Sequence, residues 1–442
     1  MTWASASAEA QWLAGIAKAD ITPTESVPLA GYGGPTRMSS SVDHPIWLKA
    51  MALKDSSGQT AVLVTADLVG LSPKMVQRIA DDALDQHGIS RERLLLNCSH
   101  NHSCPITEDV LWLYYELSDS EKAARDRYTQ MVYEKYSQVI GQALADLSPA
   151  ELSFDHGLAG VAVNRRRSRG AESRELPGPV DQDVPVIAIR CEGKLRAILF
   201  GYSCHTTALG GLSINGDYAG FAQRALEETY PDSTAIFVQN CGGDANPLPR
   251  IRGRDQAAIQ LAAMYGEVLA EAVRQVVDGK MAAITGSLQV AFEQTELILQ
   301  AGPGLEELRQ SLPNSSGMAR REIELWIAQY EQLGSPPDRV NYPIQVWQLG
   351  PQLTLIGLTG ETVVDYSLKF KEMYGWNQTW VCGYNNDLLS YIPSRRVLLE
   401  GGYEGTTGMA EYGHRAPYLP DVEQRIADLV NKLVGQVRVS EN

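Results

Sequence analysis

Histidine is the commonest metal ligand among side chains and the usual proton carrier near neutral pH. Two of the seven histidines stand two residues apart in Asn97-Cys98-Ser99-His100-Asn101-His102-Ser103-Cys104-Pro105, directly after the apolar Leu94-Leu95-Leu96. Residues i and i+2 of an extended segment share a side, so both imidazoles can aim at one point. The small and turn-forming residues around them mark an exposed strand end, where binding and catalytic groups collect. A third histidine, His205, closes another apolar run with Cys204-His205-Thr206-Thr207. Two or three histidines with a carboxylate make a zinc site that keeps a position open for water. Glu361 is the best carboxylate, standing after Gly360 and before a helical pattern over 362–374. In that place it would serve equally well as a helix N-terminal charge. Taken singly, the other residues also have ordinary readings: a surface loop with solvated histidines for His100 and His102, a core histidine for His205.

Other groups could complete such a site. Gly242-Gly243-Asp244-Ala245-Asn246-Pro247 is a Gly-rich turn after a strand, with no Lys-Ser/Thr to make it a phosphate loop. Its amides could face a developing oxyanion, or it is simply a tight turn. Asp217 reads as a helix N-cap or as a partner orienting a ligand histidine. Asn164-Arg165-Arg166-Arg167 is a local basic run in an acidic chain, either a solvated loop or a fork-shaped donor to an oxyanion. His414, in Tyr412-Gly413-His414-Arg415, is placed to line the same mouth. A Ser or Cys hydrolase is disfavoured. There is no Gly-x-Ser-x-Gly elbow, and Cys204 and His205, as strand neighbours, point oppositely.

The elements that must hold these groups alternate between strand-length apolar runs and longer helical patterns. Strands are expected over 47–53, 61–65, 93–97, 184–191, 196–202, 233–239, 284–292, 344–349, 353–358 and 379–383. Helices are expected over 74–86, 119–147, 218–230, 255–278, 304–332, 362–374 and 421–434. The fold class is therefore α/β (mixed α+β) with covering helices. Six strands run into potential ligands or proton carriers: Asp67; His100 and His102; His205; the 240–247 turn; Glu361; and Tyr384 to Asp387 with Tyr391 beyond. Ligands of open α/β sheets sit outside the carboxyl ends of strands, so six such endings point to one shared site. Polar or Gly/Pro-bearing seams at 170–179 and 314–317 are too short to demand a linker, and 1–442 is expected to be a single domain.

Composition excludes some partners. Acidic residues number 53 against 38 basic ones, for a net charge of −15, which argues against nucleic acid or an anionic membrane as a main partner. No window approaches the ~18 apolar residues of a membrane span, and residues 1–6 show neither a basic nor an apolar leader region. Six dispersed cysteines, most in or after apolar runs, suit reduced thiols in a cytoplasmic protein.

In order along the chain, these motifs resemble the catalytic domain of the neutral/alkaline (non-lysosomal) ceramidases. The resemblance is carried by Gly15-Ile16-Ala17-Lys18-Ala19-Asp20-Ile21-Thr22-Pro23 with Leu29-Ala30-Gly31-Tyr32-Gly33; by Ser99-His100-Asn101-His102-Ser103; by Cys204-His205-Thr206-Thr207 with Asp217-Tyr218-Ala219-Gly220; by Gly243-Asp244-Ala245-Asn246-Pro247; by Gly360-Glu361; and by Tyr391-Ile392-Pro393-Ser394 with Gly402-Tyr403-Glu404-Gly405. It implies a Zn²⁺ held by His100, His205, Glu361 and Tyr391, with His102 beside it as an acid/base or oxyanion aid. It also implies an active-site arginine at Arg165 or a neighbour. Two departures stand out. Ala245 or Asn246 replaces the family's serine, and the chain ends at Asn442 without an immunoglobulin-like C-terminal domain. The expectation is a zinc-dependent amidohydrolase in which His102, Tyr391, Arg165 and Asp244 assist catalysis. Its substrate is expected to be a small N-acyl or cyclic amide rather than membrane ceramide. An esterase or lactonase on the same metal, or a decayed binding protein, are the alternatives. A second ion near Asp67 or Asp217 is left open.

Overall fold

The structure, a computed structural model, describes residues 12–168, 178–250 and 256–439. Its centre is a 13-stranded mixed sheet. From one edge the order is Thr234–Gln239, Lys194–Tyr202, Asp183–Cys191, Ser148–Leu158, Trp12–Asp20, Trp47–Asp55, Thr60–Ala66, Leu94–Cys98, Thr379–Asn385, Leu353–Thr359, Arg339–Leu349 and Leu288–Ile298. Ala282–Ile284 pairs beside Ser148–Leu158. Three neighbour pairs are parallel: Thr234–Gln239 with Lys194–Tyr202, Thr60–Ala66 with Leu94–Cys98, and Leu353–Thr359 with Thr379–Asn385.

The sheet turns back on itself. The end of its first edge strand meets the middle of the sheet, where Gln239 N donates to Asn97 Oδ1 at 2.8 Å. The Asn97 amide in turn donates to Gln239 O and Gly383 O, and Asn240 bridges Cys382. Side chains of a strand alternate between faces, and here both faces are filled. The inner face buries Trp12, Leu63, Leu95, Ile187, Val238, Trp347 and Trp380 between the two halves of the sheet. The outer face is covered by helices in three places. Pro73–His87 and Asp119–Ala145 cover Val62, Val64, Leu94 and Leu96. Asp217–Thr229 and Gln256–Val277 cover Val186, Ile198 and Phe237. Val364–Tyr374 and Val422–Val439 cover Ile344, Ile356 and Val381. Helix on sheet on sheet on helix leaves strand ends as the place for polar chemistry.

Local signals explain most element ends. Ser72 caps Pro73–His87 by accepting from Met75 N, and left-handed Gly88 closes it. Ser118 and Glu121 form a capping box ahead of Asp119–Ala145. The helix expected over 304–332 is two helices, Leu305–Ser311 and Gly317–Leu333. Pro313 cannot continue an α-helix, and a 3₁₀ turn at Leu312–Asn314 intervenes. The strand expected over 284–292 is broken at Gly286, whose φ of +107° is a glycine conformation. Trp12–Asp20 and Ser148–Leu158 were not expected as strands: both mix small, charged and apolar residues instead of forming an apolar run.

Most of the 170–179 seam lies outside the described residues, as do residues 1–6. All six cysteines are free thiols and five are buried. No helix among the described residues is long and apolar enough to cross a membrane.

Candidate active site

Small ladders at the strand ends bring the candidate residues together. Glu361–Thr362 pairs in parallel with Tyr391–Ile392, with Glu361 opposite Tyr391. Ala245–Pro247 pairs with Ala162–Asn164, and Arg165 follows directly. Glu361 therefore lies on a two-residue strand, ahead of a helix that begins at Val364 and not at Thr362.

His100, His102 and His205 converge, with one nitrogen of each within 4.8 Å of the others. The His100 and His102 Nε2 atoms are 3.0 Å apart. The convergence does not come from an extended segment: His100 has φ of +56°, a conformation that is costly for a non-glycine residue and concentrates at functional sites. Two of the rings are pinned from behind. His100 Nδ1 lies 2.7 Å from Val69 O and His205 Nδ1 lies 2.7 Å from Gly242 O. A carbonyl only accepts, so each Nδ1 carries the proton and each Nε2 presents a bare lone pair. Glu361 Oε2 faces both, 3.0 Å from His205 Nε2 and 3.3 Å from His100 Nε2. Its other oxygen accepts from the Tyr412 hydroxyl.

This arrangement sets acceptor against acceptor. Two imidazole nitrogens and a carboxylate share a buried space; Arg165 reaches His205 Nε2, and between His100 Nε2 and Glu361 Oε2, 3.3 Å apart, a cation or a proton is called for. On His205 and His102 protons are disfavoured. Burial, with Arg165 nearby, pushes His205 down to about 4, and burial with two imidazole neighbours holds His102 well below its usual value. Burial alone would raise Glu361, but His100 and His205 pull it well below the carboxylate range. Imidazole nitrogens beside an ionised carboxylate are donors that suit a divalent metal ion. His102 Nδ1 is buried with no protein partner.

The opposite wall is cationic and phenolic. Arg165 reaches across the site, with its guanidinium 3.3 Å from His205 Nε2, donating to Tyr391 Oη at 3.1 Å and to Glu404 Oε1 at 2.6 Å. Burial opposes its charge, but Tyr391 and Glu404 hold it protonated. Burial first, then Glu361, raises the Tyr391 and Tyr412 phenols well above their usual value, so both carry their protons. Arg166 faces away, paired with Glu404 and Glu400. The 29–34 loop closes over His102. Gly31, at φ +89°, lies flush on that imidazole, and a Cβ there would come within 2.4 Å of the ring.

Other expectations are redirected by the structure. The 242–246 turn does not aim these amides at the site: Gly243 N donates to Thr362 O and Ala245 N to Gly242 O. Its contribution is the Gly242 carbonyl behind His205. The Asp244 carboxylate accepts from Asn164 Nδ2 and Val364 N, tying the arginine segment to the helix after Glu361. Asp217 is not an N-cap. It sits inside the helix start and holds the backbone of Ala208 and Leu209 in the loop after His205. His414 bonds to Leu389 O, and it is Tyr412 that reaches the cluster. Burial pushes the Cys204 thiol up, unlike a nucleophile. Glu404 and Tyr412 were missed as site residues. Their one sequence signal is that they lie in the tyrosine- and glycine-rich segment after Tyr391.

No protein-family model matches this sequence, and no curated protein does. Solved structures do match. The crystal structure of neutral ceramidase from Pseudomonas aeruginosa aligns with a TM-score of 0.76 at 18% identity, over 96% of this chain and 74% of that chain. A structure of ceramidase complexed with C2 aligns with a TM-score of 0.75 at 18% identity, over 97% and 76%. The chain has a neutral ceramidase-like fold, and the histidine cluster stands at the ends of its strands.

Proposed function

We propose that the protein is a zinc-dependent hydrolase of amide bonds. The observation that carries this reading is the convergence of the His100 and His205 Nε2 atoms on the Glu361 carboxylate, an arrangement that suits a cation. His100, His205 and Glu361 would hold zinc, with Tyr391 as a further ligand. Bound there, zinc supplies a Lewis acid and lowers the pKa of water toward ~7.

The chain's own residues do the rest. Val69 O and Gly242 O fix the tautomers of His100 and His205. Tyr412 orients Glu361 through its second oxygen. His102, whose Nε2 stands in the cluster 3.0 Å from His100 Nε2, takes a proton from the attacking water and returns it to the leaving amine nitrogen. Arg165 is held by Glu404 and donates to Tyr391 Oη. That leaves the phenol proton and the guanidinium to meet the oxyanion that forms from the amide carbonyl. No serine takes part: Ala245 occupies the turn, and Asn246 Oδ1 lies 3.5 Å from Thr207 Oγ1.

The fold likeness to ceramidase puts N-acylated amines first among substrates, followed by cyclic amides. Esters and lactones make the same demands on these groups, so they belong in the same panel. The test is turnover of that panel before and after chelation and on His102→Ala. Activity lost on chelation, restored by zinc, and reduced about 10²–10⁴-fold in His102→Ala with metal retained supports the reading. Full activity in metal-free protein overturns it.

A further inference from the structure

A second cavity, of about 570 Å³, lies between helix Pro73–His87 and strands Leu288–Ile298 and Arg339–Leu349, on the strand face that carries Leu288 and Trp347 into the inner layer. Gln294 and Pro343 are directly paired across its floor, and Val76, Ala80, Phe292 and Leu389 supply apolar walls. Three charged residues line it: Asp81, which is exposed and accepts from Gln77 Nε2, and the more buried Arg91 and Asp387. Arg91 stacks over Phe292 at 4.6 Å and spends one nitrogen on Leu94 O. Asp387 has a buried carboxylate oxygen without a hydrogen-bond partner.

Arg91 and Asp387 feel each other electrostatically, yet form no ion pair. A buried acceptor left without a partner costs roughly 1–3 kcal/mol, and more for a charged group, so the gap between them calls for a ligand with complementary ends. Burial has raised Asp387 to about 7 and lowered Arg91 to about 10, the direction expected of two charges each short of a partner.

The geometry points to a binding site for a small zwitterion, an α-amino acid with an apolar side chain: its ammonium on Asp387, its carboxylate on Arg91 and its side chain along Val76, Ala80 and Leu389. Guanidinium forks suit a carboxylate, and the volume suffices for such a molecule. The site is separate from the histidine cluster but shares a segment with it. Asp387 O accepts from Gly360 N, and Ser390 O accepts from Glu361 N, so the occupant would rest on the back of the loop that carries Glu361.

The test is calorimetric titration of the full chain with L-leucine, N-acetyl-leucine and leucinamide. L-leucine should saturate with a Kd of about 1 mM or tighter. Loss of either charged end, in N-acetyl-leucine or leucinamide, should weaken binding by about 10-fold or more, as should Asp387→Asn. Gln77→Trp fills the cavity from an exposed helix position and leaves Arg91 and Asp387 in place. It should abolish binding with metal content and unfolding midpoint unchanged. Absence of saturable L-leucine binding by wild type, or binding that survives both Asp387→Asn and Gln77→Trp, overturns the proposal.

Discussion

The two walls of the candidate site are built differently. The histidine wall hangs from sheet strands: His100 follows Leu94–Cys98, His205 follows Lys194–Tyr202, and each ring is locked by a main-chain carbonyl. The arginine–tyrosine wall hangs from short segments, a 3₁₀ turn at Arg165 and the coil, turns and short helices after Tyr391, and is locked by side chains: Arg165 to Glu404, Tyr412 to Glu361, and Tyr403 to Glu411 at 2.6 Å. Backbone locks survive most substitutions, whereas side-chain locks do not. The histidine wall with Glu361 should therefore decide whether metal binds at all, and the other wall should tune affinity, rate and stability.

The largest expected effect comes from Glu361→Gln, which removes the anion shared by two histidines. Metal content and amide turnover should both vanish. Arg165→Met should separate the walls most sharply. Metal should stay bound, turnover should fall about 10²–10³-fold through loss of an oxyanion donor, and stability should drop by less than the ~3–5 kcal/mol of a fully orphaned buried charge, because Arg166 still pairs with Glu404. If instead Arg165→Met loses its metal, the division between the walls fails. Tyr412→Phe is milder: zinc affinity should weaken about 10–100-fold in competition titrations with a chelator, with a small change in unfolding midpoint.

The smallest effect concerns pH. Burial raises Asp244 to about 6, above its unfolded value of ~3.9. The folded state then holds more protons than the unfolded one between these values, so this group's contribution is present at low pH and lost as pH climbs from about 4 through about 6. Asp244→Asn should flatten that part of the stability–pH curve in denaturant unfolding while leaving metal content unchanged. An unaltered slope would mean that Asp244 ionises as freely in the fold as outside it.

The histidine wall was legible in the sequence because its residues directly follow apolar strand-length runs. The sheet's halves were less so. Trp12–Asp20 lacks an apolar run, and the fold-back at Asn97 depends on a contact between residues 97 and 239 that no local pattern encodes. On the arginine wall, the run 164–167 announced a cation but not which one. Selection of Arg165 over Arg166 follows from the Ala245–Asn164 pairing that sets where the chain turns. Tyr412 was hidden because nothing in residues 401–413 has a period; its position is set by the 3₁₀ turn Thr407–Tyr412. The Gly-rich turn was read by its amides, but its neighbours consumed two of them. The tight approach of Gly243 to Glu361 O, where a Cβ would come within 2.5 Å, shows that the glycine is there for close passage of two chains.

The most direct measurement is the zinc content of wild-type protein and of His205→Ala by elemental analysis, after purification without chelator and dialysis against zinc. The account predicts about one zinc per chain in wild type and none in the variant. Wild-type protein that takes up no stoichiometric metal, or His205→Ala that retains it, would contradict the assignment of the histidine cluster as a zinc site and with it the hydrolytic mechanism.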